Sequence, residues 1–153
     1  MAVCNDQTIT STSELLEGIP PISRQGLKMI SCMPWVRVYK SFVAEVKEAR
    51  FFSLLADETT DASTKQLTIC LRYVKNGSIC ERFFGLREAS NLTGSGLANQ
   101  LLATLTTAGI PVSYMVGQSY DGAAAMSGCK NGVQKYIRDK YPAAMYVHCI
   151  SHC

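Results

Sequence analysis

The sequence lacks the features that mark membrane and secreted proteins. None of its apolar runs approaches the roughly 20 residues that a helix needs to cross a bilayer. Its first residues, 1 to 13, contain neither the basic stretch nor the apolar core of a secretory signal. The net charge is only +3, which is too small to indicate nucleic acid or membrane by itself. We therefore expect an intracellular protein, nuclear or cytoplasmic, that is not secreted and has no membrane partner.

A disulfide framework is also missing. The seven cysteines are an odd number scattered over 153 residues, whereas secreted disulfide scaffolds are smaller and denser in cysteine. Reduced thiols are the expectation. The 47% of hydrophobic and 18% of charged residues are typical of one folded domain with an ordinary core.

The apolar periodicity divides the chain into a lead-in and a folded part. Residues 1–33 are rich in Ser, Thr, Gly and Pro and are expected to be poorly ordered. A helix is predicted from Pro34 to Arg50, because apolar residues recur there at steps of three and four. Asn76–Gly77 predicts a type I′ hairpin turn. Strands are predicted at 51–58, 67–74, 78–86, 112–117 and 144–150, and further helices at about 97–108 and 131–140.

This order predicts an α/β fold with a mixed five-stranded sheet. Three antiparallel strands come first, and a β-α-β-α-β run with right-handed crossovers follows. We expect helices on both faces of the sheet. Ser95 is the predicted N-cap of the middle helix, and Tyr136 is predicted on the buried side of the last one.

Two acidic residues follow strand-like segments at corresponding places. Asp57, next to Glu58, ends the first strand, and Asp121 follows the fourth. A charge at the end of a buried strand is costly unless it is paired, hydrogen-bonded or bound to a metal. If strands one and four are parallel neighbours, their carboxyl ends adjoin, so the two aspartates are predicted to meet in a metal site. The alternatives are that Asp57 caps a loop amide and that Asp121–Gly122 is a common turn.

Several long motifs closely resemble the hAT-type transposases, and most of all the zinc-finger MYM-type-like proteins derived from them. The strings are Leu-Ala-Asp-Glu-Thr-Thr-Asp (55–61), Gln-Leu-Thr-Ile-Cys-Leu-Arg-Tyr-Val (66–74), Gly-Gln-Ser-Tyr-Asp-Gly-Ala-Ala-Ala-Met-Ser-Gly (117–128), Gly-Val-Gln (132–134) and Tyr-Val-His-Cys-Ile-Ser-His-Cys (146–153). The resemblance covers residues 34–153 and implies the N-terminal part of a ribonuclease H-like domain.

The resemblance also implies a chemistry, which is two-metal phosphoryl transfer on DNA by a DDE triad. Asp57 matches the first aspartate and Asp121 the second, so both would be catalytic and metal-binding, with Mg²⁺ or Mn²⁺ as cofactor. The third member of the triad is a glutamate on a downstream helix that this chain does not reach. We therefore expect a fragment of the catalytic core that is inactive alone.

Other interpretations stay open. The domain could be a non-catalytic nuclear module that binds DNA or a protein, or an unrelated small enzyme with Asp57 and Asp121 as acid and base. Cys149 and His152 match a Cys-x-x-His segment of the family. A packing role there is favoured over bound zinc, because a structural zinc site needs four ligands and a second pair at suitable spacing is missing. Gly94–Gly96 before a helix is interpreted as a loop and cap rather than an anion site. A final expectation is self-association through uncovered apolar surface.

A group of basic residues around the last predicted helix also has two interpretations. The side chains could contact phosphates or form a solvated face. The group comprises Lys130, Lys135, Arg138 and Lys140.

Overall fold

A computed structural model describes the chain over residues 33–61 and 64–149. Apart from Met33, the predicted lead-in lies outside the described residues. The elements, numbered here in chain order, are α1 (Met33–Ala49), β1 (Phe52–Asp61), β2 (Thr64–Lys75), β3 (Ser78–Glu88), α2 (Gly94–Thr107), a 3₁₀ turn (Val112–Tyr114), β4 (Met115–Tyr120), α3 (Ala124–Ser127), α4 (Val133–Lys140) and β5 (Met145–His148).

The five strands form one mixed sheet in the order β3-β2-β1-β4-β5. β1 pairs antiparallel with β2, and β2 with β3. β1 pairs parallel with β4, and β4 with β5. The predicted fold class is confirmed, including the placement of the first and fourth strands side by side. In the part of the chain that is described, no helix is long and apolar enough to cross a membrane.

One face of the sheet carries the hydrophobic core. Alternate residues of β1 and β2, among them Leu54 and Leu71, are fully buried on this face. Phe42 of α1 packs there against the rings of Tyr73 and Phe84, with centroid distances of 6.0 and 5.9 Å. The helix stays on the sheet because its apolar residues share one side.

A polar cluster joins α1 to the antiparallel part of the sheet. The Glu45 carboxylate accepts a hydrogen bond from the Tyr73 hydroxyl at 2.7 Å and lies 2.8 Å from Lys75 Nζ. The hydrogen bond from Lys75, followed by that from Tyr73, lowers the pKa of Glu45 below its ordinary value of 4.5. The carboxylate therefore stabilises the helix on the sheet in its ionised form.

A buried amide joins α4 and β5 to β4. Gln118 is 1% exposed, and its Nε2 donates to the carbonyl oxygens of Gln134, at 3.2 Å, and Ala144, at 2.9 Å. Gln134 lies in α4, and Ala144 directly precedes β5. One side chain on the core side of β4 thus anchors both later elements.

The expectation of helices on both faces was wrong for the described residues. α1, α2 and α4 all contribute to a single core on one face, and we call the opposite side the open face. Its side chains are half-buried or exposed, as in Thr68 and Cys70 of β2. Ile79 is 75% exposed and Val147 is 58% exposed. The expectation rested on apolar residues in the strands. Four of these, Leu55, Val74, Ile79 and Val147, lie on the open face, which no described helix covers.

The predicted hairpin turn is confirmed, but the predicted helix cap is wrong. Asn76 and Gly77 have φ values of 51° and 76°, as a type I′ turn requires. The N-cap of α2 is Thr93, whose hydroxyl accepts a hydrogen bond from the Gly96 amide at 3.1 Å. Asn91 Oδ1 accepts hydrogen bonds from the backbone amide and from the hydroxyl of Thr93, and so holds Thr93 in the capping position. Ser95 therefore lies inside the helix.

Two further boundaries differ from the prediction. Residues 112–114, predicted as the start of the fourth strand, form a 3₁₀ turn, and β4 begins at Met115. The last helix begins at Val133, two residues late, and Tyr136 is 41% exposed rather than buried. Only Val133 and Ile137 of this short helix reach the core.

Candidate carboxylate site

Asp57 and Asp121 stand level with one another on neighbouring parallel strands. The last registered pair between β1 and β4 is Leu55 with Ser119, and each aspartate lies two residues beyond its member of that pair. Neighbouring strands are about 4.8 Å apart. The topology therefore brings the two predicted residues level where the pairing of β1 with β4 ends. Asp57 does not end the first strand as predicted, because β1 continues along β2 to Asp61.

Asp57 belongs to the open face. It alternates with Leu54 and Ala56, which are buried in the core, and it lines a shallow depression of about 90 Å³. The other walls include Leu55, Thr68 and Cys70, with Ser119 across the β1–β4 boundary. Half-buried in this position, the carboxylate is accessible from the side of the sheet that no described helix covers.

Asp121 begins the loop after β4. Its Oδ1 accepts a hydrogen bond from the Ala123 amide at 3.2 Å, the contact of an Asx turn. The pKa of Tyr146 is raised above its ordinary value, mainly by burial and also by the nearby negative charge of Asp121. The turn foreseen as the alternative interpretation is therefore present, and one carboxylate oxygen is used to make it.

His148 is a neighbour of this site that the sequence pattern did not single out. It is the last residue of β5 and pairs in register with Tyr120, directly before Asp121. A Cβ atom on Gly122 would stand 3.2 Å from His148 Nε2. The imidazole therefore lies against the Asp121–Gly122 turn, with Nδ1 3.1 Å from the Cys149 carbonyl oxygen. The signal available in the sequence was that β5 ends beside β4.

Other candidates do not join the pair. Glu58 points to Lys65, which donates to its Oε1 at 2.6 Å. Cys149 lines the depression, and its amide donates to Tyr120 O at 2.9 Å. His152 lies outside the described residues, so of the two named residues of the Cys-x-x-His segment only Cys149 is described. Over residues 33–61 and 64–149, no three His, Cys, Asp or Glu side chains are grouped to hold a metal ion.

Three glycines bring the main chain of α2, α3 and the segment before α4 together. A Cβ atom on Gly94, at the start of α2, would overlap the Asn131 carbonyl oxygen, and one on Gly132 would overlap the Gly128 backbone. Main chain from three segments thus meets at this glycine junction, formed by Gly94, Gly128 and Gly132. The start of α2 is covered by its own chain there, which favours the loop-and-cap interpretation of Gly94–Gly96 over an anion site.

The four basic residues around α4 do not form one cluster. Lys135 pairs with Asp139 one turn later. Lys130 precedes α4 near the carboxyl edge, and Lys140 ends α4 at the other edge of the sheet, with Nζ 5.8 Å from the Tyr141 ring centroid. The eight residues of α4, which end at Lys140, separate that lysine from Lys130 along the chain.

Comparison with known proteins agrees with this fold. A sequence profile of the family described as "ZMYM1/FAM200, RNase-like domain" matches residues 27–132, more than half of the chain. The chain belongs to this family. The match ends directly before α4, so β5, the outer strand of the parallel half of the sheet, lies beyond the matched part of this ZMYM1/FAM200 RNase-like chain.

Two curated relatives are much longer than this chain. The mouse protein called "52 kDa repressor of the inhibitor of the protein kinase" is 29% identical over 110 residues, which are 70% of this chain and 14% of that protein. Its human counterpart of the same name is 28% identical over 110 residues, with the same coverage. The chain therefore matches about a seventh of the length of these relatives.

Proposed function

We propose that this ZMYM1/FAM200 RNase-like domain is part of a hAT-type transposase catalytic core and retains the first two of the three acidic ligands of its metal site. Asp57 and Asp121 are the residues that hold the divalent cation. The single observation that supports this proposal is the register of β1 and β4, in which Asp57 and Asp121 each follow the last registered pair by two residues. Membership of an RNase-like family supports the same origin.

The donor set suits a hard cation. Carboxylate oxygens are the ligands that Mg²⁺ and Mn²⁺ prefer, and Mg²⁺ commonly keeps several waters while bound by one or two carboxylates. Asp57 opens onto the uncovered face, which leaves space for such waters. In DNA phosphoryl transfer a bound cation stabilises charge on the attacking and leaving oxygens.

The described residues of this domain contribute two of the three expected acidic ligands. No third carboxylate, histidine or thiolate joins Asp57 and Asp121 within them. With an incomplete set, we expect weak cation binding and no DNA strand cleavage or transfer by this polypeptide alone.

Manganese titration of single variants tests the assignment. Asp57→Ala and Asp121→Ala should each weaken Mn²⁺ binding about tenfold or more, since a charge-assisted contact contributes about 1.5–3 kcal/mol. Glu58→Gln is the matched control, because Glu58 adjoins Asp57 in sequence but pairs with Lys65. Binding can be followed by the electron paramagnetic resonance signal of free Mn²⁺.

The results discriminate clearly. Loss in both aspartate variants with binding retained in Glu58→Gln supports a shared site. Binding that survives in both aspartate variants, or that never occurs in the unmodified chain, would show that the pair is no longer a cation site.

The second candidate is a nuclear module without catalysis that binds DNA or a protein. The open face favours it, because exposed apolar side chains such as Ile79 are typical of contact surfaces. Retention of a nuclear protein on the immobilised chain after nuclease treatment would support protein binding, and loss of that retention in Ile79→Asp would locate it. Retention that depends on DNA would instead support the DNA-binding form.

A further inference from the structure

The edge of the sheet opposite the carboxylates is where three helices end. α1, α2 and α4 are each followed along the chain by a parallel strand, β1, β4 and β5 respectively, after a connection of two to seven residues. Because those strands are parallel, their amino ends lie together. The ends of the three helices and the connections after them therefore form one continuous rim, the amino edge.

Contacts between side chains tie this rim together. Lys47 Nζ lies 3.1 Å from where a Cβ atom on Gly109 would stand, so α1 approaches the loop after α2. The same loop, residues 109–113, lines an open groove with Tyr141 at the end of α4. Tyr114, just beyond that loop, contacts the ring of Phe51 at a centroid distance of 6.4 Å. The rim is thus one surface rather than three separate helix ends.

Charge is divided between the two edges. Lys47, Arg50 and Lys140 are all exposed at the amino edge, where two exposed carboxylates, Glu48 and Asp139, adjoin Lys47 and Lys140 in sequence. Asp139 is paired with Lys135. At the carboxyl edge stand Asp57 and Asp121. A polyanion would be repelled from the carboxylates and attracted to the opposite rim.

Aromatic rings alternate with these cations. The Arg50 guanidinium carbon lies 5.4 Å from the centroid of Tyr114, and Lys140 Nζ lies 5.8 Å from that of Tyr141. Phe51 is 58% exposed beside them. Tyr114 and Tyr141 are only half-buried, and exposed or partly exposed rings beside cations are suited to stacking with planar bases.

The backbone at Arg50 adds an independent observation. Arg50 follows the last residue of α1 and has φ = 63°, the left-handed region in which glycine usually ends a helix. A non-glycine residue there is strained. Arginine occupies a backbone conformation that glycine adopts more easily, and the guanidinium lies over the Tyr114 ring.

We propose that the amino-edge strip, formed by Lys47, Arg50, Phe51, Tyr114, Lys140 and Tyr141, binds single-stranded nucleic acid. The cations contact the phosphate backbone, and the exposed ring surfaces stack with unpaired bases, which a duplex would not present. This surface does not share a residue with the carboxylate pair, so it stands whether or not that pair binds a cation.

A fluorescence anisotropy titration tests the proposal with the full 153-residue chain and labelled oligo(dT), over a series of salt concentrations, with a duplex as comparison. Arg50→Gly should weaken oligo(dT) binding about fivefold at about 0.1 M salt and reduce the salt slope by about 0.7, the increment of one phosphate contact. The same substitution removes the backbone strain, so its melting temperature should equal or exceed that of the unmodified chain. A weakened but equally stable protein excludes misfolding as the cause.

Two further variants complete the design. Phe51→Ala should weaken oligo(dT) binding by about fivefold or more through lost stacking, while leaving the salt slope unchanged. Lys130→Ala is the matched control, because it removes one exposed lysine at the carboxyl edge. Its affinity should match that of the unmodified chain.

Three outcomes would overturn the proposal. The first is absence of oligo(dT) binding at low salt. The second is equal weakening by Lys130→Ala and Arg50→Gly, which would mean general charge attraction. The third is tighter binding of the duplex with no effect of Phe51→Ala.

Discussion

The Gln118 side chain offers the sharpest test of how β4 is held, and the substitution to examine is Gln118→Leu. Leucine fills nearly the same volume but cannot donate to the carbonyl oxygens of Gln134 and Ala144. Each lost hydrogen bond costs about 0.5–1.5 kcal/mol, and a buried carbonyl left without a partner costs about 1–3 kcal/mol.

Two effects offset part of this loss. Gln118 Oε1 is buried without a hydrogen-bond partner among the described residues, and leucine removes that polar atom. The Gln134 carbonyl lies within α4, where a helical bond can still satisfy it. We therefore expect a net destabilisation of about 2 kcal/mol, which corresponds to a fall in melting temperature of roughly 4–8 °C for a domain of this size.

The assay is urea unfolding followed by circular dichroism, with Gln100→Leu as the control. Gln100 also donates from Nε2 to a backbone carbonyl, that of Glu88, but at an exposed position where water can replace it. The control should lose less than about 0.5 kcal/mol. If Gln118→Leu is as stable as the unmodified chain, or if both variants lose the same amount, the buried amide is not what anchors α4 and β5.

Three further outcomes are expected. Gly77→Ala should destabilise by about 1–2 kcal/mol through backbone strain alone, since φ is +76° and a Cβ atom would meet nothing within 4 Å; an unchanged urea midpoint would contradict it. Because the pKa of Glu45 is lowered on folding from 4.5, its contribution is complete above that ordinary value and is lost as the pH falls through the folded value. The melting temperature of Glu45→Gln should thus be lower near neutral pH and approach that of the unmodified chain in acid, whereas parallel pH profiles would argue against the cluster. Ile79→Thr on the open face should reduce self-association in sedimentation velocity without lowering stability, and an unchanged distribution of species would place the contact elsewhere.

The sequence was most informative where local chemistry and burial agree. Alternation in β2 and the Asn76–Gly77 pair define a hairpin without help from distant residues. Asp57 and Asp121 could be placed together because a parallel pairing of their strands forces the carboxyl ends to one edge. The assignment of those carboxylates to a metal remains a prediction.

The predictions were wrong where specific side-chain contacts or packing select between two structures that the sequence pattern allows. Thr93 and Ser95 are equally good caps by residue type, and Asn91 selects between them through side-chain contacts. Val112 and Ser113 were predicted as strand, but Pro111 and the 3₁₀ turn delay β4 to Met115. The uncovered face could not be foreseen, because Leu55 and Val147 have the apolar character of core residues although they lie on the open side.

The glycine junction has a consequence for how the domain tolerates change. At Gly94, Gly128 and Gly132 the only substituent with room is a hydrogen atom, since a methyl group at any of them would overlap backbone. The approach of α2, α3 and α4 to one another is therefore set by direct contact of their main chains, with no bulky side chain as a spacer. One added carbon on Gly94 would push the start of α2 away from the segment before α4, and one on Gly132 would push that segment away from the end of α3.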